Sequence, residues 1–230
     1  IGGGGTGPAA AYDLSLQGFE VILFEKGEFT SGTTGRHHGQ LHSGARYAVN
    51  DPEIGAECMR ESTILRAIAP ECIEYNQGLF IDKTSEDSDY AALFIDGCGR
   101  AGIPANPVST EEALGLEPAL NPSIREAIQV PDGTIDAFRL PMSFLSSAVH
   151  EGALAFNFTE VVNIDRKNGT IGGVHVKNLK TGEHSYYKAD AVVNAAGPWA
   201  GAVASLADCH LPITPTPGTM IAMNGRLCDM

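Results

Sequence analysis

Hydrophobic and polar positions change rhythm several times along this chain, and each change marks an element. After the opening "IGGGGTG", the residues from Pro8 to Gln17 suit a short helix, and Gly18 stands where a helix C-terminus favours a left-handed residue. "FEVILFE", Phe19 to Glu25, then has the composition of a buried parallel strand. No hydrophobic periodicity follows until "ECMRESTILRAIA". In the far half, "TEVVNIDRKNGTIGGVHVKNLKTGEHSYYKAD" reads as strands joined by turns, with "KNG" and "KTGE" as hairpin signals. "AVVNAAG" predicts a buried strand running into a small-residue turn. "VPDGTIDAFRL" predicts a turn at Asp132-Gly133 and a helix capped by Asp136, with Arg139 in its first turn. "PGTMIAM" predicts the start of a further strand.

The first of these rhythms carries chemistry. Gly2, Gly4 and Gly7 form G-x-G-x-x-G, and the acidic Glu25 ends the strand 18 positions after Gly7. Loop, helix, strand and acid in this order define a dinucleotide-binding unit. Gly2 makes the turn, Gly4 lets a pyrophosphate touch the backbone, and Gly7 lets helix and strand pack closely. Gly5 and Thr6 complete the loop, where the helix N-terminus offers N–H groups and a positive dipole end to phosphates. Glu25, followed by Lys26, would accept hydrogen bonds from a ribose diol and disfavour a 2′-phosphate. Only Ile1 precedes Gly2, so the central strand is expected to be missing and cofactor binding to be weakened.

Composition narrows the class. An apolar fraction of 43% with 19% charged residues describes an ordinary globular protein, and 230 residues allow one large domain or two small ones. A net charge of −13 argues against nucleic acid as a partner. The acidic cluster "DKTSEDSDY" reads as a solvated loop. Five scattered cysteines form no C-x-x-C pair, so they read as small buried hydrophobes in a reducing, cytosolic setting. No apolar run reaches the roughly 20 residues of a transmembrane helix.

The stretch "TSGTTGRHHGQLHSGARY", Thr30 to Tyr47, follows the acid where a nicotinamide enzyme would continue with another βαβ crossover. Its glycine and hydroxyl residues suit a backbone lying along a ligand. His38 and His42 are four apart, yet Gly39 and Gly44 oppose the helix that would make them a zinc pair.

Six motifs in order, "IGGGGTG", "TGRHHGQLHSGARYAV", "NQGLFI", "VPDGTIDAFRL", "VVNAAGPW" and "PTPGTMIAM", cover nearly the whole chain. Through them it resembles the FAD-dependent glycerol-3-phosphate dehydrogenases of the D-amino-acid-oxidase-like flavoproteins, whose members are much longer. The resemblance implies non-covalent FAD, with Thr33 and Thr34 facing the phosphates and Gly39, Gln40 and Leu41 beside the flavin. Val161, Ala195, Ala196 and Gly197 would approach the cofactor from the far half. His42 and Ser43 would come near the ring, and His37 reads as a surface residue. Arg46 would hold the substrate phosphate, for which a guanidinium suits bidentate contact. Tyr47 either adds a hydrogen bond or packs, and Trp199 packs behind the cofactor turn.

The implied fold is α/β: a Rossmann-like FAD-binding domain, a parallel sheet with a β-meander, interleaved with an α+β substrate domain built on an antiparallel sheet. The boundaries expected are 1–74 with 140–204 for FAD, and 75–139 with 205–230 for substrate. The implied reaction oxidises sn-glycerol 3-phosphate to dihydroxyacetone phosphate with hydride transfer to FAD. The base is either His42, by its chemistry, or a residue after Met230. Electrons would leave through partner subunits to quinone, in a cytoplasmic enzyme at most peripheral to the membrane. The alternatives are an FAD enzyme acting on a 2-hydroxy acid or amine, or a non-catalytic flavin-binding module.

Overall fold

The computed structural model describes the backbone of residues 1–230 and every side chain except those of Ser85, Glu86 and Ser88. In chain order the helices are α1 (Thr6–Leu16), α2 (Pro52–Ile68), α3 (Ser85–Ala101), α4 (Thr110–Leu116), α5 (Arg139–His150) and α6 (Ala200–Ser205). The strands begin with β1 (Ile22–Phe24), β2 (Gln40–Leu41), β3 (Ile73–Glu74), β4 (Gly78–Ile81) and β5 (Asn106–Val108). They continue with β6 (Ala127–Val130), β7 (Gly133–Ile135), β8 (Leu154–Phe156), β9 (Thr159–Lys167), β10 (Thr170–Asn178) and β11 (His184–Lys188). The chain divides into two compact units, Ile1–His38 with Ala137–Met220, and Gly39–Asp136 with Ile221–Met230. Residues 39–74 thus cluster with the second unit and 205–220 with the first.

The first unit is α/β. β1 pairs with β8 in parallel, Ile22 against Leu154 through Phe24 against Phe156. On the other side of β1, Ile1 and Gly2 take the central slot. The Gly2 amide donates to the Phe24 carbonyl at 2.9 Å, and the Ala195 amide donates to the Ile1 carbonyl at 2.8 Å. The Ile1 nitrogen donates to Val193 O at 2.7 Å. Among the described residues no strand forms there, but these bonds tie Ile1 and Gly2 between β1 and residues 193–195. α1 and α5 cover one face, where Ala11, Leu23, Leu145, Ala148 and Ala153 form a core. β9, β10 and β11 form the antiparallel meander, packed on Phe24 through Val161, Ile164, Val174 and Val176. Its first hairpin turns on Asn168 and Gly169, both at positive φ (52° and 83°), with Lys167 paired to Thr170. That is the two-residue turn whose twist matches the flanking strands.

The second unit is α+β with antiparallel sheets ordered β2-β7-β3 and β4-β6-β5. α2 starts at Asp51, whose side chain accepts from the Ile54 amide, with Pro52 in the first turn. α3 has a capping box between Thr84 and Asp87 and ends at Gly102 with φ 69°. Ala48, Phe94, Cys98, Ala101, Ile128 and Val130 make its main core.

Several local expectations need correction. The cluster at "DKTSEDSDY" opens α3 instead of forming a loop, because the capping box outweighs its polarity. "FEVILFE" buries only Leu23 and Phe24, and Phe19 is exposed. "AVVNAAG" forms no regular strand: it has two hydrogen bonds to Ile1, and Val193 is exposed. "PGTMIAM" is likewise irregular and exposed, with Ile221 at 80%. The turn expected at Asp132-Gly133 is absent, since Pro131 and Asp132 link β6 to β7, strands of different sheets, and Gly133 already begins β7. Phe138, not Asp136, holds the N-cap of α5. Cys72 and Cys98 are buried as expected, but Cys209 and Cys228 are exposed.

Candidate functional site

Within the first unit, the loop from Gly2 to Gly5 enters α1 and borders a cavity of about 640 Å³, a volume in the range of ligand sites. Two glycines of the fingerprint have no room for a side chain. At Gly2, with φ 109°, a Cβ would come 2.5 Å from the Ala195 carbonyl oxygen. At Gly7 a Cβ would overlap the Gly2 carbonyl and lie 3.2 Å from Leu23 Cδ1. The loop is pinned from both sides. Glu25 accepts the Gly3 amide on one carboxylate oxygen and the Gly27 amide on the other, each at 2.7 Å. Thr34 Oγ1 accepts the Gly5 amide at 2.9 Å.

The same residues test whether a dinucleotide fits. Gly5, the N-cap of α1, supplies no side-chain acceptor, so the first-turn amides are available to an anion. The Thr34 hydroxyl uses a lone pair toward Gly5 and keeps its proton to donate. Each Glu25 oxygen has a further lone pair for a hydroxyl. Thr6, Lys26, Thr33, Val161, Ala195, Ala196 and Gly197 also border the cavity. The donor and acceptor set fits FAD. Trp199 corrects its expectation: 47% exposed, it lines the cavity with Lys26 Nζ 5.2 Å from its ring centre. The apolar rim outweighs packing behind the turn.

The second unit holds the remaining candidates. Gly39 and Leu41 are buried and Gln40 is exposed, with Gln40 paired to Thr134 and Leu41 to Gly133. His42 and the fully buried Ser43 follow directly. His42 Nδ1 lies 3.3 Å from Asp132 Oδ2, while Asp132 Oδ1 accepts the Ser43 amide at 2.7 Å and the Ser43 hydroxyl at 2.6 Å. Burial alone would push the Asp132 carboxyl up; hydrogen bonds from His42 and Ser43 outweigh it and hold the group below its ordinary value. Sequence reasoning misses Asp132 because, read locally, it is a turn residue. Its partners lie about 90 residues away, and nothing in the local pattern reveals them.

Arg46 and Tyr47 lie on a short 3₁₀ turn, Ala45–Tyr47. Both are exposed, and the Arg46 guanidinium sits 5.3 Å from the Tyr47 ring centre. Arg46 forms no salt bridge with a described carboxylate, so its charge is available to an anion. His37 is half-buried, 6.1 Å from the His38 ring centre, and not the plain surface residue expected.

A glycine-turned loop, an adjoining helix, an acid at the strand end and a β-meander define an α/β dinucleotide-binding protein. The chain matches the family described as "DAO: FAD dependent oxidoreductase" over residues 1–228. It belongs to that family, whose cofactor is FAD. It is 43% identical over 227 residues to one subunit of the anaerobic glycerol-3-phosphate dehydrogenase of Escherichia coli K12, covering 99% of this chain and 42% of that protein. The corresponding protein from Haloferax volcanii is 42% identical, covering 100% and 41%. Among solved structures, L-proline dehydrogenase from P. horikoshii superposes with a TM-score of 0.79 at 27% identity, covering 90% of this chain and 54% of that one. The chain thus spans less than half the length of these two curated relatives.

Proposed function

We propose that this chain is part of an FAD-dependent dehydrogenase that oxidises sn-glycerol 3-phosphate to dihydroxyacetone phosphate. The observation that carries the reading is 43% identity, across 99% of the chain, to a protein named for that reaction. Oxidation of an amine, as in the proline dehydrogenase, is less favoured at 27% identity.

The glycine loop, Thr33, Thr34 and the α1 N-terminus would hold the pyrophosphate, and Glu25 the ribose diol. Lys26, Val161, Ala195, Ala196 and Gly197 would complete that bed. Gly39, Gln40 and Leu41 would lie beside the flavin. Bound FAD supplies the two-electron acceptor. Arg46 would hold the substrate phosphate by paired charge-assisted hydrogen bonds, with Tyr47 beside it. His42 would take the proton of the C2 hydroxyl. In the whole enzyme, electrons would pass through partner subunits to membrane quinone. No helix among the described residues is long and apolar enough to cross a membrane.

The test is a visible absorption spectrum before and after anaerobic glycerol 3-phosphate. A two-band flavin spectrum that bleaches supports cofactor and substrate together. A flavin spectrum that no concentration of substrate bleaches, in the full-length protein, refutes the substrate.

A further inference from the structure

The two oxygens of the Asp132 carboxylate have separate partners. Oδ1 accepts both the amide and the hydroxyl of Ser43, and Oδ2 faces Nδ1 of His42. The backbone that carries the carboxylate is held as well. Arg66, on α2, donates through Nη2 to the Pro131 carbonyl at 2.9 Å and to the Asp132 carbonyl at 3.1 Å. Its Nε donates to the buried Ser62 hydroxyl at 3.3 Å. The residue that carries this network is only 8% exposed, and its hydrogen bonds favour the ionised form.

An ionised carboxylate accepts hydrogen bonds and donates none. The nitrogen facing it must carry the ring proton in neutral imidazole, and the lone pair then belongs to the other nitrogen. We propose that Asp132 is the positioning residue of His42, fixing the tautomer and ring orientation that leave Nε2 as the proton acceptor. The inference rests on His42 being the base of the proposed reaction. Through Arg66, the support for that orientation runs back to α2.

The substitution Asp132→Asn separates this role from simple packing. Ser43 donates twice to the Oδ1 position, so the carboxamide oxygen stays there and its NH₂ turns toward His42 Nδ1. Two donors cannot face each other, so the ring must take the other tautomer, with the proton on Nε2. The protein is labelled with ¹⁵N-histidine, and its His42 signal is assigned with a His42→Gln variant. Two-bond ¹⁵N–¹H correlation spectra then read the tautomer directly, with FAD bound in the full-length protein. The expected result is Nδ1–H in the parent and Nε2–H in Asp132→Asn.

In the same Asp132→Asn protein, flavin bleaching by glycerol 3-phosphate should slow about 100-fold or more, with the half-saturating concentration changed less than about threefold. Asp132→Glu retains the carboxylate and should recover the Nδ1–H tautomer and part of the rate, which a folding defect would not allow. An Nε2–H signal in the parent, or one tautomer in both proteins, overturns the proposal whatever the substrate is. A switched tautomer with an unchanged bleaching rate also overturns it. If the parent does not bleach but the tautomer switches, the substrate reading fails while the positioning of His42 by Asp132 is supported.

Discussion

Gly7→Ala should weaken FAD binding, although alanine is the better helix former. In an open helix interior the change would stabilise by about 1 kcal/mol. Here the new Cβ would overlap the Gly2 carbonyl and press Leu23 Cδ1 at 3.2 Å. Gly2 has little room to retreat, because its amide bonds Phe24 at 2.9 Å and its own Cβ position is filled by Ala195. Overpacking of this kind costs about 1–3 kcal/mol, which offsets the gain in propensity. The larger effect falls on the loop. A shift of roughly an ångström would loosen the Gly3–Glu25 and Gly5–Thr34 hydrogen bonds, 2.7 and 2.9 Å long, each worth about 1 kcal/mol. Loss of about 1.4–2.7 kcal/mol corresponds to roughly 10- to 100-fold in Kd. Fluorescence titration of FAD measures the affinity, and thermal unfolding without FAD measures the strain. An affinity within threefold of the parent, with unchanged Tm, would refute the packing argument.

Four other outcomes are expected. Gly99→Ala in α3, with nothing within 4 Å of its Cβ position, should stabilise by about 0.5–1 kcal/mol and raise Tm by a few degrees. On the proposed function, Arg46→Ala in the full-length protein should raise the KM for glycerol 3-phosphate by roughly 10- to 100-fold while leaving FAD affinity unchanged, as loss of a charge-assisted contact predicts; unchanged KM in steady-state assays would remove Arg46 from the proposed phosphate site. The Asp132 carboxyl is held below its ordinary value of 3.8, so its stabilisation is present above that pH and is lost as pH falls through the folded value. The Tm gap between parent and Asp132→Asn should therefore narrow as pH falls below about 3.8. Burial, then the Asp132 charge, pushes the Cys98 thiol up to about 11. At pH 8 a thiol reagent should modify the exposed Cys209 and Cys228 first, and Cys98 only on unfolding, with mass spectrometry locating the adducts.

What was legible in the sequence was what short-range physics dictates. A G-x-G-x-x-G loop followed by helix formers favours a tight turn entering a helix, and Asn168-Gly169 accepts two positive φ values at small steric cost. α1 and the β9–β10–β11 meander follow from spacings of a few residues. Where that reasoning failed, a neighbour from elsewhere in the chain made the difference. The strand expected at "AVVNAAG" depends on its partner, not its composition, and its backbone bonds tie Val193 and Ala195 to Ile1 without forming a regular strand. The loop expected at Asp82 to Tyr90 is a different case, because its capping pair, Thr84 and Asp87, is local and three residues apart.

The candidate site divides in the same way. Sequence alone determined which residues could meet a dinucleotide, because the glycine loop, α1, β1 and Glu25 are consecutive and their chemistry is local. Tertiary structure decided the rest. Glu25 holds Gly3 from the end of β1, Trp199 reaches Lys26 from the far half, and Asp132 meets His42 and Ser43 by way of a β2–β7 pairing. A hydrogen bond acts over about 3 Å and carries no trace of chain separation. Which carboxylate orients a histidine 90 residues away is therefore set by strand register.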